Sequence, residues 1–493
     1  MIVYREQRTR VATADVLRRV GEASGFERAM ELGELHAGVA DAWCPDFDRD
    51  LHDAPLPPEI EISVPEGFAW YALDPELYRI AARRFAAAAH PDRVAVIGIR
   101  SIGTTLGAVV ADELGPTARL WTVRPRGHPF DRQLRVDSHL ERAWREWGGH
   151  FAVVDEGPGL SGSSFASVAE FLSGLNVPDD RIVFLPSWQP DGAGFVSETA
   201  RRRWARHRKY SAAFEELGLF DDAGDLSAGR WRTRRCVWPA VQPQHERRKY
   251  LRGDRLYKFA GYGRYGRAKL ERAQRLAAFV PPTLGFENGF LVTRWIPGRT
   301  PRITTAFLEH LAKYLAHIVR EFPTGRAANV DQLAELIAVN TGKPWTGPLP
   351  EAQAIALDAR LLPHEWLETA GGYLKTDALD HHDDHFFPGP QDIAWDLAAG
   401  AVEFGGEPYL LDCYRRASGD RDVAGRLPFY KAAYLAFRLG YCDMAAQSLG
   451  NSPDGARFHR ARRRYAELIR SESCTSKPRQ NQSTTTRASR LSA

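Results

Sequence analysis

One segment limits what this chain can fold into more than any other. Residues 151–165 run from Phe151 through an unbroken apolar stretch to Asp155 and Glu156, then through Gly157, Gly159, Ser161, Gly162, Ser163 and Ser164 into an apolar, helix-forming stretch. A short apolar run rich in valine has the length and branching of a buried strand. The strand ends in two carboxylates, a Gly/Ser loop follows, and then a helix opens. The glycines let the backbone approach a ligand closely. Amides at the start of the following helix favour an anion, and the serine hydroxyls add donors. The carboxylates themselves repel phosphate, so their partners would be ribose hydroxyls or Mg2+.

Other short apolar runs surround this one, at 93–99, 118–123 and 182–185, with helical stretches at 105–114, 138–147 and 165–175 between them. Strand and helix in alternation predict an α/β domain with a parallel, doubly wound sheet. In such sheets ligands sit beyond the carboxyl ends of the strands. The run at 93–99 leads into a second glycine-containing loop that carries Arg100 and Ser101 and opens a helix.

Together these loops resemble the phosphoribosyl-diphosphate (PRPP) signature of type I phosphoribosyltransferases. That signature is a hydrophobic strand, two acidic residues, a linker and Thr-Gly-x-Thr, the last part being played here by Ser161-Gly162-Ser163-Ser164 after a linker one residue longer. The resemblance covers roughly residues 75–190. It implies PRPP binding by Asp155, Glu156, Gly159, Ser161, Gly162, Ser163 and Ser164, with Arg100 and Ser101 in a pyrophosphate loop. The basic stretch 124–135, hard to fold regularly, stands where that family carries a mobile loop that closes over pyrophosphate. Pyrophosphate would leave as the ribose C1 gains oxocarbenium character, with basic groups and Mg2+ stabilising the leaving group. The plainer reading is a generic strand–turn–helix with acidic caps.

The second half has a different grammar. Two short strands flank Gly253 and Asp254, Lys258 sits mid-strand between aromatics, a helix from about 267 to 279 carries Glu271, and a further strand ends in Trp295-Ile-Pro-Gly298. This order resembles the small lobe of aminoglycoside-phosphotransferase and protein-kinase-like enzymes, and implies an α+β, two-lobed domain. Lys258 would bind the phosphates of ATP and pair with Glu271, and Trp295–Gly298 would be the hinge. A literal GxGxxG at Gly261–Gly266 offers a rival dinucleotide site. The strand before it is too charged for a buried parallel strand, and the next candidate strand contains Pro281 and Pro282.

Further on, Pro388-Gly-Pro-Gln-Asp-Ile-Ala-Trp-Asp-Leu-Ala398 resembles that family's Gly-Asp-Pro-x-x-Asp-Leu-Ala. Counting back by the usual interval implies Asp384 as the Mg2+ ligand, Asp377 as the catalytic base and His382 in the place of a metal-binding asparagine. The usual hairpin between base and metal ligand is missing from that alignment, and Lys375-Thr376-Asp377 replaces His-Gly-Asp. A rival alignment makes Asp377 the metal ligand and leaves no catalytic aspartate. The cluster from Asp380 to His385 also suits Zn2+, Mn2+ or Fe2+, which keeps a metal-dependent phosphohydrolase open.

The chain has 493 residues, enough for two or three domains at roughly 150 residues each. The expected organisation is an N-terminal extension (1–75) belonging to the first domain, the phosphoribosyltransferase-like domain (76–190), a basic helical connector (191–240), the kinase-like domain (241–470) and a disordered tail (471–493). Five scattered cysteines fit neither a disulfide framework nor a CxxC metal site. With no apolar leader at the start and no apolar run of membrane-spanning length, a cytoplasmic protein is expected. A net charge of +4 is not by itself a nucleic-acid signature, and the arginines at 201–208 and 230–235 read as solvated faces, with a phosphate-rich ligand or RNA as the alternative. The sequence leaves the oligomeric state open. Its combined reading is a bifunctional or ligand-coupled transferase for small molecules, using PRPP in one half and Mg·ATP in the other. The alternative is a non-catalytic nucleotide or PRPP sensor with degenerate sites.

Overall fold

The computed structural model describes residues 8–44, 46, 48, 55–159, 161–234, 239–384 and 387–475. Residues 476–493 of the expected tail, along with Cys236 and His385, lie outside the described residues.

The chain begins with β1 (Arg8–Ala12), α1 (Thr13–Glu22) and α2 (Gly25–Trp43), and β2 (Glu59–Ser63) returns antiparallel to β1. A single helical turn, α3 (Glu66–Ala69), and α4 (Pro75–Ala89) lead into β3 (Val94–Ile99), α5 (Ile102–Leu114), β4 (Ala118–Val123), the hairpin β5 (Arg126–His128) and β6 (Asp131–Gln133), α6 (Ser138–Arg145), β7 (His150–Val154), α7 (Ser163–Gly174), β8 (Ile182–Leu185), α8 (Glu198–Arg206) and β9 (Arg208–Lys209). The order β4-β3-β7-β8-β9 makes a five-stranded parallel sheet. Its strands alternate between two cores, as the two-residue period of a pleated sheet requires. Val94, Val96, Ala152 and Val154 face α4 and α5, whereas Ala95, Ile97, Phe151 and Val153 face α6, α7 and α8.

The connector expected at 191–240 is not a free linker. Its helix α8 closes on the first sheet, where Arg203 bonds Glu170 at 2.9 Å and Asp179 at 3.0 Å, and β9 adds the last parallel strand. The rest of that segment supplies β10 (Gly224–Asp225) to the second sheet. That sheet continues with β11 (Lys249–Arg252) and β12 (Arg255–Phe259), then α9 (Gly263–Arg275), β13 (Thr283–Glu287) and β14 (Phe290–Arg294), in the antiparallel order β10-β11-β12-β14-β13. Because β12 is antiparallel to both neighbours, the GxGxxG at Gly261–Gly266 does not follow a parallel strand, and the dinucleotide reading falls.

A helical lobe follows: α10 (Thr305–Glu321), α11 (Val330–Thr341), α12 (Ala394–Phe404), α13 (Glu407–Ser418), α14 (Val423–Leu449) and α15 (Pro453–Thr475). Two small antiparallel pairs interrupt it, β15 (Pro323–Ala327) with β16 (Gln353–Ile355) across α11, and the hairpin β17 (Trp366–Thr369) with β18 (Gly372–Lys375). Its core centres on Leu311, Tyr314, Trp366, Trp395 and Tyr430, all fully or nearly fully buried. No helix is long and apolar enough to cross a membrane among the described residues.

The two halves share one core. Val94, Val96 and Leu106 from the first half cluster with Tyr250, Tyr257, Phe259 and Phe290 from the second. The N-terminal extension helps to join them. Arg264 of α9 bonds Glu34 of α2 at 2.7 Å, and Arg267 bonds Glu27 at 2.6 Å. The turn after β2 touches both halves, since the Gly67 amide donates to Glu156 at 3.0 Å and Phe68 accepts from the Tyr262 amide at 2.9 Å.

Candidate functional site

The first candidate site lies beyond the carboxyl ends of β3 and β7, which are neighbours in the sheet. The loop after β3 presses against the end of β7. A side chain on Gly98 would collide with the Gly103 carbonyl, and a Cβ on Gly103 would lie 2.7 Å from the Val154 carbonyl. Only glycine permits that approach. Ser101 precedes α5 and remains in this loop, its carbonyl accepting from the Thr104 amide at 3.0 Å.

Arg100 departs from expectation. Its guanidinium turns back into the protein, pairing with Asp48 and, at 3.1 Å, with Asp41, and the residue is 6% exposed. Once buried, the cation needs carboxylate partners, and α2 and the chain after it provide them. Its side chain is therefore a structural anchor and not a phosphate contact.

Asp155 and Glu156 are partly buried. Glu156 accepts from the Gly67 amide at 3.0 Å, and Asp155 accepts from the Glu156 amide at 2.8 Å. Burial pushes Asp155 up to about 7 and Glu156 up to about 8, in the second case with Glu66 adding to the effect. Such groups favour the neutral form until a donor or cation meets them. Gly159 and Gly162 take positive φ angles of 60° and 63° in the loop, and Phe195 packs where a Gly162 side chain would stand.

The basic stretch at 124–135 is more regular than the sequence suggests. It forms the hairpin β5–β6, with Arg126 opposite Gln133 and His128 opposite Asp131 around a tight turn at Pro129 and Phe130. Gly127, at φ 106°, supplies the backbone freedom near that turn. The hairpin rests on the serine loop. Ser163 donates to the Pro129 carbonyl at 2.6 Å, Arg132 donates to the Ser164 hydroxyl at 3.1 Å, and the Ser161 and Ser163 hydroxyls lie 3.0 Å apart.

The second candidate site is a cleft of about 380 Å³ between the antiparallel sheet and the helical lobe. Lys258, the segment Trp295–Gly298, Arg360, Glu365 and Asp377 line it. Lys258 lies near the middle of β12 and pairs with Asp377 at 2.5 Å and with Asp380. Burial alone would lower the lysine, but the two carboxylates override it and hold the ammonium above its ordinary range. The same lysine outweighs burial at Asp377 and holds its carboxyl well below the usual range.

Glu271 is not the partner of Lys258. The buried face of α9 carries Gly266, Lys269, Arg272 and Ala273, which leaves Glu271 exposed on the opposite face. Lys269 bonds Asp380 at 3.1 Å, and Arg272 donates to the carbonyls of Ala356, Leu357 and Ala378 at 2.7–3.0 Å. The helix thus buries two cations behind the cleft, where residues 378–380 meet them, Asp380 pairing with Lys269 and the Ala378 carbonyl accepting from Arg272.

The chain order around Asp377 differs from that of the first alignment. The hairpin β17–β18 precedes it directly instead of separating it from Asp384. This is the order of the rival alignment, in which Asp377 stands in the metal-ligand position after the hairpin. The loop before the hairpin then supplies Asp358, Arg360 and Glu365. Asp358 is 1% exposed and accepts a bond from Tyr314 at 2.5 Å. Glu365 bonds Arg360 and, at 3.0 Å, Lys375. Asp396 pins the loop, since its two oxygens accept the Asp358 and Ala359 amides at 2.9 and 3.0 Å. Burial, with Asp358 beside it, pushes Asp396 up to about 8.

His382 and Asp384 do not join Asp377 in a ligand set. The His382 Nδ1 is buried with no hydrogen-bond partner among the described residues. Burial, then Arg272 and Lys269, keep that imidazole neutral well below its ordinary range. Asp384 lines a smaller adjoining cavity of about 70 Å³ beside Arg438 and Tyr441. The donors that converge are Glu365, Asp377 and His381, within 4.8 Å of one another. Asp358, Arg360 and Glu365 do not stand out in the sequence, whereas Lys375 borders Asp377 in Lys375-Thr376-Asp377 and His381 belongs to the Asp380–His385 cluster. A charged stretch just ahead of a Gly-Gly turn was the available signal.

No family model matches the chain, and no curated protein does. Among solved structures, a choline/ethanolamine kinase family protein from Mesorhizobium loti is 16% identical, covering 46% of this chain and 89% of its own, at a TM-score of 0.30. A GDP complex of aminoglycoside 2'-phosphotransferase-IIIa is 13% identical, covering 48% and 92%, at 0.31. The Plasmodium vivax ethanolamine kinase is 10% identical, covering 62% and 95%, also at 0.31. Identities this low speak to fold alone, and at these TM-scores the likeness carries no argument about residues, ligands or reaction.

Proposed function

We propose that the second half is a nucleotide-binding domain of the small-molecule phosphotransferase type, and that the first half binds a ribose phosphate such as PRPP. The observation that carries the first part is the cleft itself: a 380 Å³ space walled by a hinge-like Trp295–Gly298 segment, with Lys258 and Asp377 meeting at 2.5 Å on its floor. A nucleoside triphosphate entering there would place its base near the Trp295 segment and its phosphates near Lys258. Mg2+ arriving with the nucleotide would be held by Asp377 and Glu365 and would neutralise phosphate charge. Lys258 would exchange part of its bond to Asp377 for a phosphate oxygen, so the resting ion pair keeps the lysine charged and positioned.

The first half's support is the juxtaposition of Asp155 and Glu156 with the serine loop under the β5–β6 hairpin. Ribose hydroxyls would meet the carboxylates, and the loop would meet phosphate. Arg132, which reaches Ser164, would stand close to the leaving pyrophosphate.

A second reading, a sensor that binds nucleotide without turning it over, draws on the loop before β17. That loop presents Arg360 and Glu365 to the cleft, while its aspartate, Asp358, is buried against Tyr314 and Lys375. None of these three is a carboxylate free to take a proton from an acceptor hydroxyl. The deciding experiment incubates the chain with Mg·ATP and a pool of sugars, amino-sugars, choline-like alcohols and nucleosides, and follows ADP. ADP release that depends on a pool member and disappears in Lys258→Met supports the transferase. Mg·ATP binding without ADP release, at equal fold stability, supports the sensor.

A further inference from the structure

Three donors of mixed chemistry meet where the cleft adjoins the smaller cavity, Glu365 lining the first, His381 the second and Asp377 both. The His381 Nε2 lies 3.4 Å from Asp377 Oδ2 and 3.8 Å from Glu365 Oε1. The histidine is 9% exposed, yet its Nε2 has no hydrogen-bond partner among the described residues. A buried imidazole nitrogen in ion-pair range of two carboxylates but without a well-directed hydrogen bond to either is unusual, because buried polar atoms are nearly always satisfied.

The carboxylates are oriented for this convergence from behind. Asp377 gives Oδ1 to Lys258 at 2.5 Å and turns Oδ2 to His381. Glu365 gives Oε2 to Lys375 at 3.0 Å and turns Oε1 toward His381, sharing it with Arg360. His381 reaches the same point because it lies four residues after Asp377 in a single turn of 3₁₀-helix, residues His381–Asp383. Outer partners that fix the direction of each donor are what a metal centre requires.

We propose that Glu365, Asp377 and His381 form a resident site for a borderline divalent cation, of the Mn2+ or Zn2+ type, that fills without nucleotide. Two ligands about 2.1 Å from an ion at a tetrahedral angle stand about 3.4 Å apart, the separation His381 and Asp377 already have, and Glu365, 3.8 Å from His381, closes in to become the third. Selectivity follows from charge. The carboxylates of Asp358, Glu365, Asp377 and Asp380 face the cations of Lys258, Lys269, Lys375 and Arg360. That balance leaves little net field to attract a dication, so binding must come from ligand bonds, and an imidazole bonds Mn2+ or Zn2+ in preference to Mg2+. The site shares Asp377 and Glu365 with the nucleotide reading but does not depend on it, since it fills without triphosphate.

The test uses the full chain, freed of metal by chelation, and Mn2+ alone. Equilibrium dialysis should give one Mn2+ per chain, and pulsed electron paramagnetic resonance should show coupling to the nitrogen of one imidazole. Mg2+ should compete at least 100-fold more weakly, and Zn2+ should displace the Mn2+. His381→Gln, chosen to keep the volume, should weaken Mn2+ binding at least tenfold and abolish the nitrogen coupling, whereas His459→Ala, at an exposed position of α15, should change neither. Absence of Mn2+ binding without nucleotide, absence of the nitrogen coupling in the unmodified chain, or coupling retained in His381→Gln would each overturn the proposal. The measurement on the unmodified chain decides even if the variant fails to fold.

Discussion

Lys258 in the antiparallel sheet and Asp377 after the β17–β18 hairpin lie 2.5 Å apart, although 119 residues separate them in sequence. The pair joins the small sheet to the helical lobe across the cleft. Asp380 grips the same ammonium and is itself held by Lys269 at 3.1 Å. Substitution of Lys258 by methionine leaves two buried carboxylates short of a partner. The expected cost is about 3 kcal/mol of stability, together with at least a tenfold loss of Mg·ATP affinity. Urea denaturation and nucleotide titration of the folded variant measure the two effects separately.

Glu156 should make stability fall with rising pH. Its folded-state value is raised from the ordinary carboxylate range to about 8, because of burial and then Glu66. A raised carboxyl binds its proton more tightly folded than unfolded. Its favourable contribution is therefore complete below about pH 4 and is lost as pH rises toward 8. Glu156→Gln removes the titration, and its amide oxygen can still accept from Gly67. The ligand-free variant should melt higher than the parent at pH 8, by on the order of 1 kcal/mol, with no gain at pH 5. Equal melting at both pH values would show that Glu156 is not held neutral.

Arg100→Met separates a structural arginine from a ligand contact. The buried pair with Asp48 and Asp41 should fail, at a cost of about 3 kcal/mol. PRPP affinity per folded molecule should stay within about twofold, because the guanidinium faces away from the loop. A selective loss of PRPP binding, with stability unchanged, would return Arg100 to the site.

Asp396→Asn tests the pin under the loop that carries Arg360 and Glu365. The aspartate accepts two backbone amides, and an asparagine can accept only one while turning an NH2 toward the other. About 2 kcal/mol should be lost, visible in the urea midpoint. Cleft ligands should bind more weakly as the loop relaxes.

The parallel sheet was readable because β3 and β7 are short, valine-rich and buried on both faces, and glycine-containing loops follow each. Asp155, Glu156 and the serines are local to one loop, so linear sequence already brings them together. The cleft was harder. Lys258 stood out mid-strand, but its partner depended on the rotational phase of α9, which turns Lys269 and Arg272 inward and Glu271 out. The Asp377 assignment turned on where the hairpin lies, and Trp366–Lys375 has too few residues and too mixed a pattern to announce two strands. The packing of the halves left almost no trace, since Glu27 and Glu34 look like solvated helix charges until Arg264 and Arg267 meet them.

The most direct test is a titration of the purified full chain with Mg·ATP, followed by thermal unfolding and by tryptophan fluorescence near Trp295. Saturation at about 100 times the dissociation constant should stabilise the protein by roughly 2.7 kcal/mol, and the shift should vanish in Lys258→Met. No stabilisation and no fluorescence change with Mg·ATP at millimolar concentration would contradict a nucleotide cleft built on Lys258 and Asp377.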